Sequence, residues 1–216
     1  GEKLTVEFTA VANLERWQID RQRAVFNADL DEDGMGSEEI LSLIEDDDAL
    51  REAVDLAQVR YLASIGDVAG EAVAVSLNVR SMLNERTLAL LLEIGQTASA
   101  AGRQLILGIT GLTPEAMGRV QALNTLRSAG FRIALQGDEI GAITEDLLRQ
   151  LPVDYISMDQ TFVSDANTLQ QRMPMLKSLC EWCRNNGIRL IFEGVHMTEA
   201  ARILCYLPGA LGTGTF

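Results

Sequence analysis

The chain has 216 residues, 47% of them hydrophobic and 23% charged, which supplies one substantial core and excludes a disordered segment. Its net charge of −13 repels nucleic-acid backbones and anionic lipid, but leaves room for a small anion in a local electropositive pocket. Three cysteines are too few for a disulfide framework and suit a reducing compartment, and no run approaches the roughly 20 apolar residues that cross a bilayer.

The chain begins at Gly1 without a signal-peptide pattern and stops abruptly at Phe216. We therefore expect one domain over residues 1–216, excised from a longer protein. Leu4–Val11 alternates apolar and polar residues and is predicted as a strand; Trp17–Leu30 returns as a second after a turn near Asn13–Arg16. Gly34 and Gly36 break the chain, and Ser37 is placed to cap a short helix over Glu38–Glu45. A longer helix follows over Ala49–Ile65, with the acids Asp46–Asp48 at its positive end and Gly66 just past its end.

From there strands and helices alternate. Strands are predicted at Ala72–Val79, Gln104–Ile109, Phe131–Leu135, Asp154–Met158 and Ile188–Phe192. The helices between and after them are Glu85–Ala101, a run from Thr113-Pro114-Glu115 to Ala129, Thr144–Leu151, a segment within Thr168–Asn185, and Thr198–Tyr206. Five strand–helix units with short apolar strands argue for a parallel sheet covered by helices, as a closed barrel or an open doubly wound sheet. No Gly-x-Gly-x-x-Gly follows an early strand, which counts against a dinucleotide fold. In a barrel the chemistry gathers where strands end, which singles out Asn78, Gly108–Gly111, Gln136–Glu139, Asp159 and Glu193.

Those strand ends carry a resemblance. Leu151–Val163 (LPVDYISMDQTFV) resembles the EAL-domain pattern lPvDyiKiDrsFv, Phe192–Met197 (FEGVHM) resembles AEGVET, and Val75–Arg80 (VSLNVR) resembles vsvNlS. Leu107–Thr113 is similar to a decayed lElTEs, Ile133–Gly141 to a decayed ialDDFGtG, and Gly212–Phe216 to the closing QGyxF. Val25–Leu30 (VFNADL) takes the place of the eponymous Glu-Ala-Leu. The resemblance implies a TIM-like (β/α) barrel of the EAL type with an antiparallel first strand.

It also implies a chemistry and its loss. EAL enzymes hydrolyse cyclic di-GMP with two divalent metals, which need several hard oxygen ligands converging at the strand ends. On the matched positions this chain has Asn27 for the Glu of Glu-Ala-Leu, Gly108 and Gly111 for the two glutamates of ElTE, Gln136 and Gly137 for the paired aspartates, and Ser157 for the Lys of KiD. Asn78, Asp159 and Glu193 survive as remnants of the pocket. Asp138 stands beside the lost pair, but a one-residue shift points a side chain elsewhere. The Arg that helps receptors of the family hold the nucleotide falls on Asp31, an acid where a phosphate would sit.

Other patterns have plainer readings. Asp29-x-Asp31-x-Asp33-Gly34 imitates the start of a calcium loop, yet the twelfth position is Ile40 instead of a bidentate Glu. Cys180-x-x-Cys183 lies well inside a predicted helix, where two core-facing thiols are expected instead of a redox pair. His196 follows Glu193 and reads as drift from the family's Glu, and Ser76 lacks the surroundings of a nucleophile. Trp17 and Trp182 are not interleaved with basic residues, so no stacking platform for nucleic acid is expected.

These readings lead us to expect a non-catalytic EAL-like domain with no catalytic residue, metal or cofactor, acting through protein–protein contacts in bacterial cyclic di-GMP signalling. The resemblance implies partners among motility or biofilm machinery, a homodimer, and a place on the cytoplasmic side in a soluble or membrane-tethered parent. Cyclic di-GMP affinity is expected to be weak or nil. The alternatives are a receptor that binds cyclic di-GMP without cutting it and, further off, an active phosphodiesterase.

Overall fold

The computed structural model describes residues 3–29, 47–64, 73–111, 120–136, 145–163, 165–196 and 199–214. Its strands are β1 (Lys3–Asn13), β2 (Gln18–Asp29), β3 (Val73–Asn78), β4 (Leu105–Thr110), β5 (Phe131–Gln136), β6 (Tyr155–Met158), β7 (Arg189–Phe192) and β8 (Leu211–Thr213). Its helices are α1 (Asp48–Ser64), α2 (Val79–Met82), α3 (Glu85–Ala100), α4 (Val120–Ser128), α5 (Glu145–Gln150), α6 (Ala166–Asn185) and α7 (Glu199–Leu204). A 3₁₀ turn, Gln160–Phe162, follows β6.

One eight-stranded sheet runs in the order β2-β1-β8-β7-β6-β5-β4-β3. Strands β3 to β8 are parallel, while β1 is antiparallel to both β8 and β2. The sheet curls until β2 lies against β3, which brings its two edges together. This is the TIM-like alternative with an antiparallel first strand, and the open doubly wound sheet is ruled out. Two short elements, α2 and β8, were not expected; β8 is three residues long and ends between glycines. The expected helix Glu38–Glu45 and the start of the Thr113-Pro114-Glu115 helix lie outside the described residues.

Alternation along each strand sorts the core into two layers. Leu105, Leu107 and Ile109 of β4, Ile133 and Leu135 of β5, Ile156 and Met158 of β6, and Leu190 and Phe192 of β7 pack outward beneath the helices. Val11, Ile106, Ala134, Tyr155, Ile191 and Leu211 form a separate cluster inside the barrel. One step further along the inner face, the same period places Ser76 and Asn78, Gly108 and Thr110, Gln136, Ser157 and Glu193. The barrel interior therefore turns from apolar to polar toward the C-terminal strand ends.

Caps and a buried carboxylate hold this frame. Asp47 accepts from the backbone N–H groups of Ala49 and Leu50 at the start of α1, and Asp165 from those of Asn167 and Thr168 at the start of α6. Asp154, buried just before β6, accepts from Ile133 N at 2.9 Å, Arg132 Nη1 at 2.8 Å and Arg127 Nη2 at 3.1 Å. It pins β5 and α4 to the start of β6, at the end of the barrel away from the polar layer. Among the described residues no helix is long and apolar enough to cross a membrane.

Candidate functional site

The polar layer is built from neighbouring strand ends. Parallel register sets Ser76 beside Gly108, Asn78 beside Thr110, and Gln136 beside Ser157. The side chain of Gln136 leans diagonally across Gly108: a Cβ on Gly108 would stand 2.6 Å from Gln136 Oε1 and 2.9 Å from Ser76 Oγ. At the end of the same strand Gly111 has φ of 66°, and a Cβ there would stand 2.5 Å from Asn78 Nδ2. Each glycine thus makes room for a carboxamide from an adjacent strand.

The carboxylates at the neighbouring strand ends are engaged as well. Glu193, just past β7, accepts a short hydrogen bond from the buried hydroxyl of Ser157, and its backbone N–H donates to Met158 O at 2.9 Å. Asp159 turns onto the chain that follows it and accepts from Thr161 N at 2.8 Å, capping the 3₁₀ turn. Asn78 does the same for α2, accepting from Arg80 N at 2.9 Å. The structure therefore joins Ser157 to Glu193 and Gln136 to Gly108, and spends Asp159 and Asn78 on caps. Asn27 lies near the end of β2, in register with Thr5 of β1. Gly137, Asp138 and Asp31 lie outside the described residues.

Helix α1 fixes the rim of the site. Asp48, Glu52 and Asp55 follow one another at helical spacing along one stripe, and each accepts from the end of β3 or the segment after it. Asp48 meets Arg80 at 3.2 Å, Glu52 accepts from Asn84 Nδ2 at 2.8 Å, and Asp55 accepts from Asn78 N at 3.1 Å. The Asp48–Arg80 pair is exposed and contributes little. Asp55 is buried, and that burial pushes its carboxyl above the usual range against the pull of Ser81, the Asn78 N–H and Arg51. Asp55 had no signature in the sequence. Ser76 did, since it stands two residues before Asn78 and so shares its face.

The donor set among the described residues does not fit the two divalent metals that the resemblance implies. A two-metal clamp needs several converging carboxylates. Among the described residues Asp159 and Glu193 are the acids at the matched positions, both already hydrogen-bonded, and no group of three His, Cys, Asp or Glu side chains could hold an ion. The remaining side-chain oxygen and nitrogen atoms of the polar layer belong to neutral amides and hydroxyls.

One pattern read plainly from the sequence is placed as expected. Cys180 and Cys183 face the core from α6, where burial raises their thiols to about 11 and about 12. His196 is exposed after Glu193. Of the calcium-like loop only Asp29 is described, as the last residue of β2.

With this geometry in view, comparisons with known proteins agree on one lineage. The model of the EAL domain family matches residues 1–216. The chain is similar to cyclic di-GMP phosphodiesterase PdeB of Shewanella oneidensis, 34% identical over 80 residues, which are 37% of this chain and 9% of that protein. It is similar also to probable cyclic di-GMP phosphodiesterase PdeG of Escherichia coli, again 34% over 80 residues, here 16% of the relative. The matched stretch thus spans less than a fifth of either relative's length. Among solved structures, the PaMucR phosphodiesterase in complex with c-di-GMP superposes with a TM-score of 0.78 at 16% identity, over 98% of this chain and 89% of that one. The manganese/cy-diGMP complex of Klebsiella pneumoniae BlrP1 gives 0.73 at 20% identity, over 98% and 54%.

Proposed function

The chain belongs to the EAL domain family, and from that premise we propose that it is a non-catalytic member, working in cyclic di-GMP signalling through contacts with other proteins. The observation that carries this reading is the carboxamide of Gln136 lying over Gly108, in the space an inward glutamate of β4 would need. A site that had lost one ligand would leave a gap for water or a metal. Here the groups along the ends of β3 to β7 are fitted to one another. An enzyme of this family depends on two metals to clamp the scissile phosphate and activate water, and losing one essential group of such a unit costs several powers of ten in rate.

A second reading is a receptor that binds cyclic di-GMP without hydrolysing it. Its support is that the relatives compared above are named for that nucleotide or were solved with it. Against it stands Asp31, an acid at the position where the family places an Arg on the phosphate. We also read the chain as one domain of a longer cytoplasmic-side protein, in line with the small share of each curated relative that it matches.

Calorimetric titration with cyclic di-GMP, paired with a magnesium and manganese hydrolysis assay, tests the proposal. The expected result is no release of linear pGpG and no saturable binding in the micromolar range. Saturable binding without cleavage would install the receptor reading instead. Metal-dependent pGpG release abolished by Glu193→Gln would overturn both.

A further inference from the structure

Helices α6 and α7 pack side by side on the outside of the barrel and leave an open groove of about 850 Å³ between them. Met173, Ile203 and Tyr206 are its apolar lining, beside Gln170 and three charged residues, and Tyr206 is 75% exposed. Its charges are Lys177, Arg202 and Glu199. The chain as a whole carries 31 acidic and 18 basic residues, so a groove with two cations to one acid reverses the sign of its surroundings.

Several arginines of the fold are held by carboxylates. Arg127 and Arg132 are paired with Asp154, and Arg51 and Arg80 with Asp48. Lys177 and Arg202 have no carboxylate partner among the described residues. The groove mixes apolar side chains with Gln170, Lys177, Glu199 and Arg202, a lining that suits an amphipathic third helix laid into it, with anchors spaced at i, i+3 and i+4. Two unpaired cations at its edge select for carboxylates beside those anchors. A second copy seated groove to groove is a poor occupant, because a two-fold contact would set Lys177 and Arg202 of one copy against the same cations of the other.

We propose that the α6–α7 groove is a docking site for an amphipathic helix of another protein, one whose apolar stripe is flanked by Asp or Glu. Lys177 and Arg202 take the carboxylates, and Met173, Ile203 and Tyr206 take the apolar anchors. The inference rests on the reading of this chain as an interaction module, and names the surface and partner chemistry that such a module would use.

The probe is a displayed library of sixteen-residue amphipathic peptides with fixed apolar positions and the flanking positions randomised among Glu, Gln and Lys. It is selected on the whole chain and then titrated against K177E/R202E and against Y206A. Both variants change exposed side chains, and circular dichroism checks that each is folded. Selected peptides are expected to be rich in Glu and to bind K177E/R202E and Y206A at least about tenfold more weakly. No enrichment, enrichment of Lys, or binders indifferent to both variants would overturn the proposal. So would a dimer in sedimentation velocity that K177E/R202E disperses, since the occupant would then be a second copy. None of these readouts involves nucleotide. Hydrolysis of cyclic di-GMP would sink the non-catalytic reading and leave the groove result standing, and failure of the groove would leave the nucleotide result untouched.

Discussion

Gln136 and Gly108 are sterically matched: the amide of one occupies the space that a side chain on the other would fill. The match makes a double-mutant cycle informative. Gly108→Ala forces the amide end of Gln136 and the hydroxyl of Ser76 to give way, and because both are side-chain ends that can turn aside it is expected to cost about 1 kcal/mol, at the low end for overpacking. In a Gln136→Ala background the obstruction is gone, and the same substitution should cost at least about 0.5 kcal/mol less. Urea midpoints of the four proteins decide it. Strict additivity would mean that the two positions do not share space.

Asp55 gives a prediction about pH. Its carboxyl is raised in the folded protein by burial, so between the usual carboxylate pKa and the raised one the folded state holds a proton that the unfolded chain has released. Stability from this group is therefore highest at low pH and declines as pH climbs through that interval. Asp55→Asn, which retains an acceptor for the Asn78 N–H, removes the titration. The stability difference between wild type and Asp55→Asn, followed by urea unfolding from about pH 3.5 to 7, should move in favour of the variant as pH rises and then level off. A difference that is flat, or that runs the other way, would refute the assignment.

The barrel was legible because five short apolar strands are bounded by helix signals, and alternation along them already marks an inner face. Period two alone places Ser76, Gly108, Gln136 and Ser157 on that face. What the chain could not disclose is contact across strands. Gly111 reads in the sequence as a lost acid. In the fold its φ of 66° and the nearby Asn78 amide give a local reason for glycine. Asp55 escaped for a related reason: it lies 23 residues before the backbone N–H it accepts from, and nothing local marks the pair.

Asp154 is retained in the motif that carries the family resemblance, yet its three hydrogen bonds are to Arg127, Arg132 and Ile133, at the far end of the barrel from the polar layer. Asp154→Ala should therefore act on stability alone. It leaves a buried backbone N–H unpaired and removes charge-assisted bonds to two arginines that are both partly exposed. A loss of about 2–3 kcal/mol is expected, seen as a lower urea midpoint at unchanged slope. A loss below about 0.5 kcal/mol would show that the two arginines are as well served by water.

The thiols separate by environment. Cys180 and Cys183 are buried, with pKa values of about 11 and about 12, so at pH 8 nearly all of each remains protonated and shielded. Cys205 is half-buried on the surface turn after α7. Titration of the native chain with a disulfide reagent at pH 8 should modify Cys205 first, and the other two only as fast as the protein unfolds. Adding denaturant should then release both together, since they share one helix and one core layer. Rapid oxidation of the native pair to a disulfide, without loss of structure, would contradict this and return Cys180-x-x-Cys183 to the list of redox motifs.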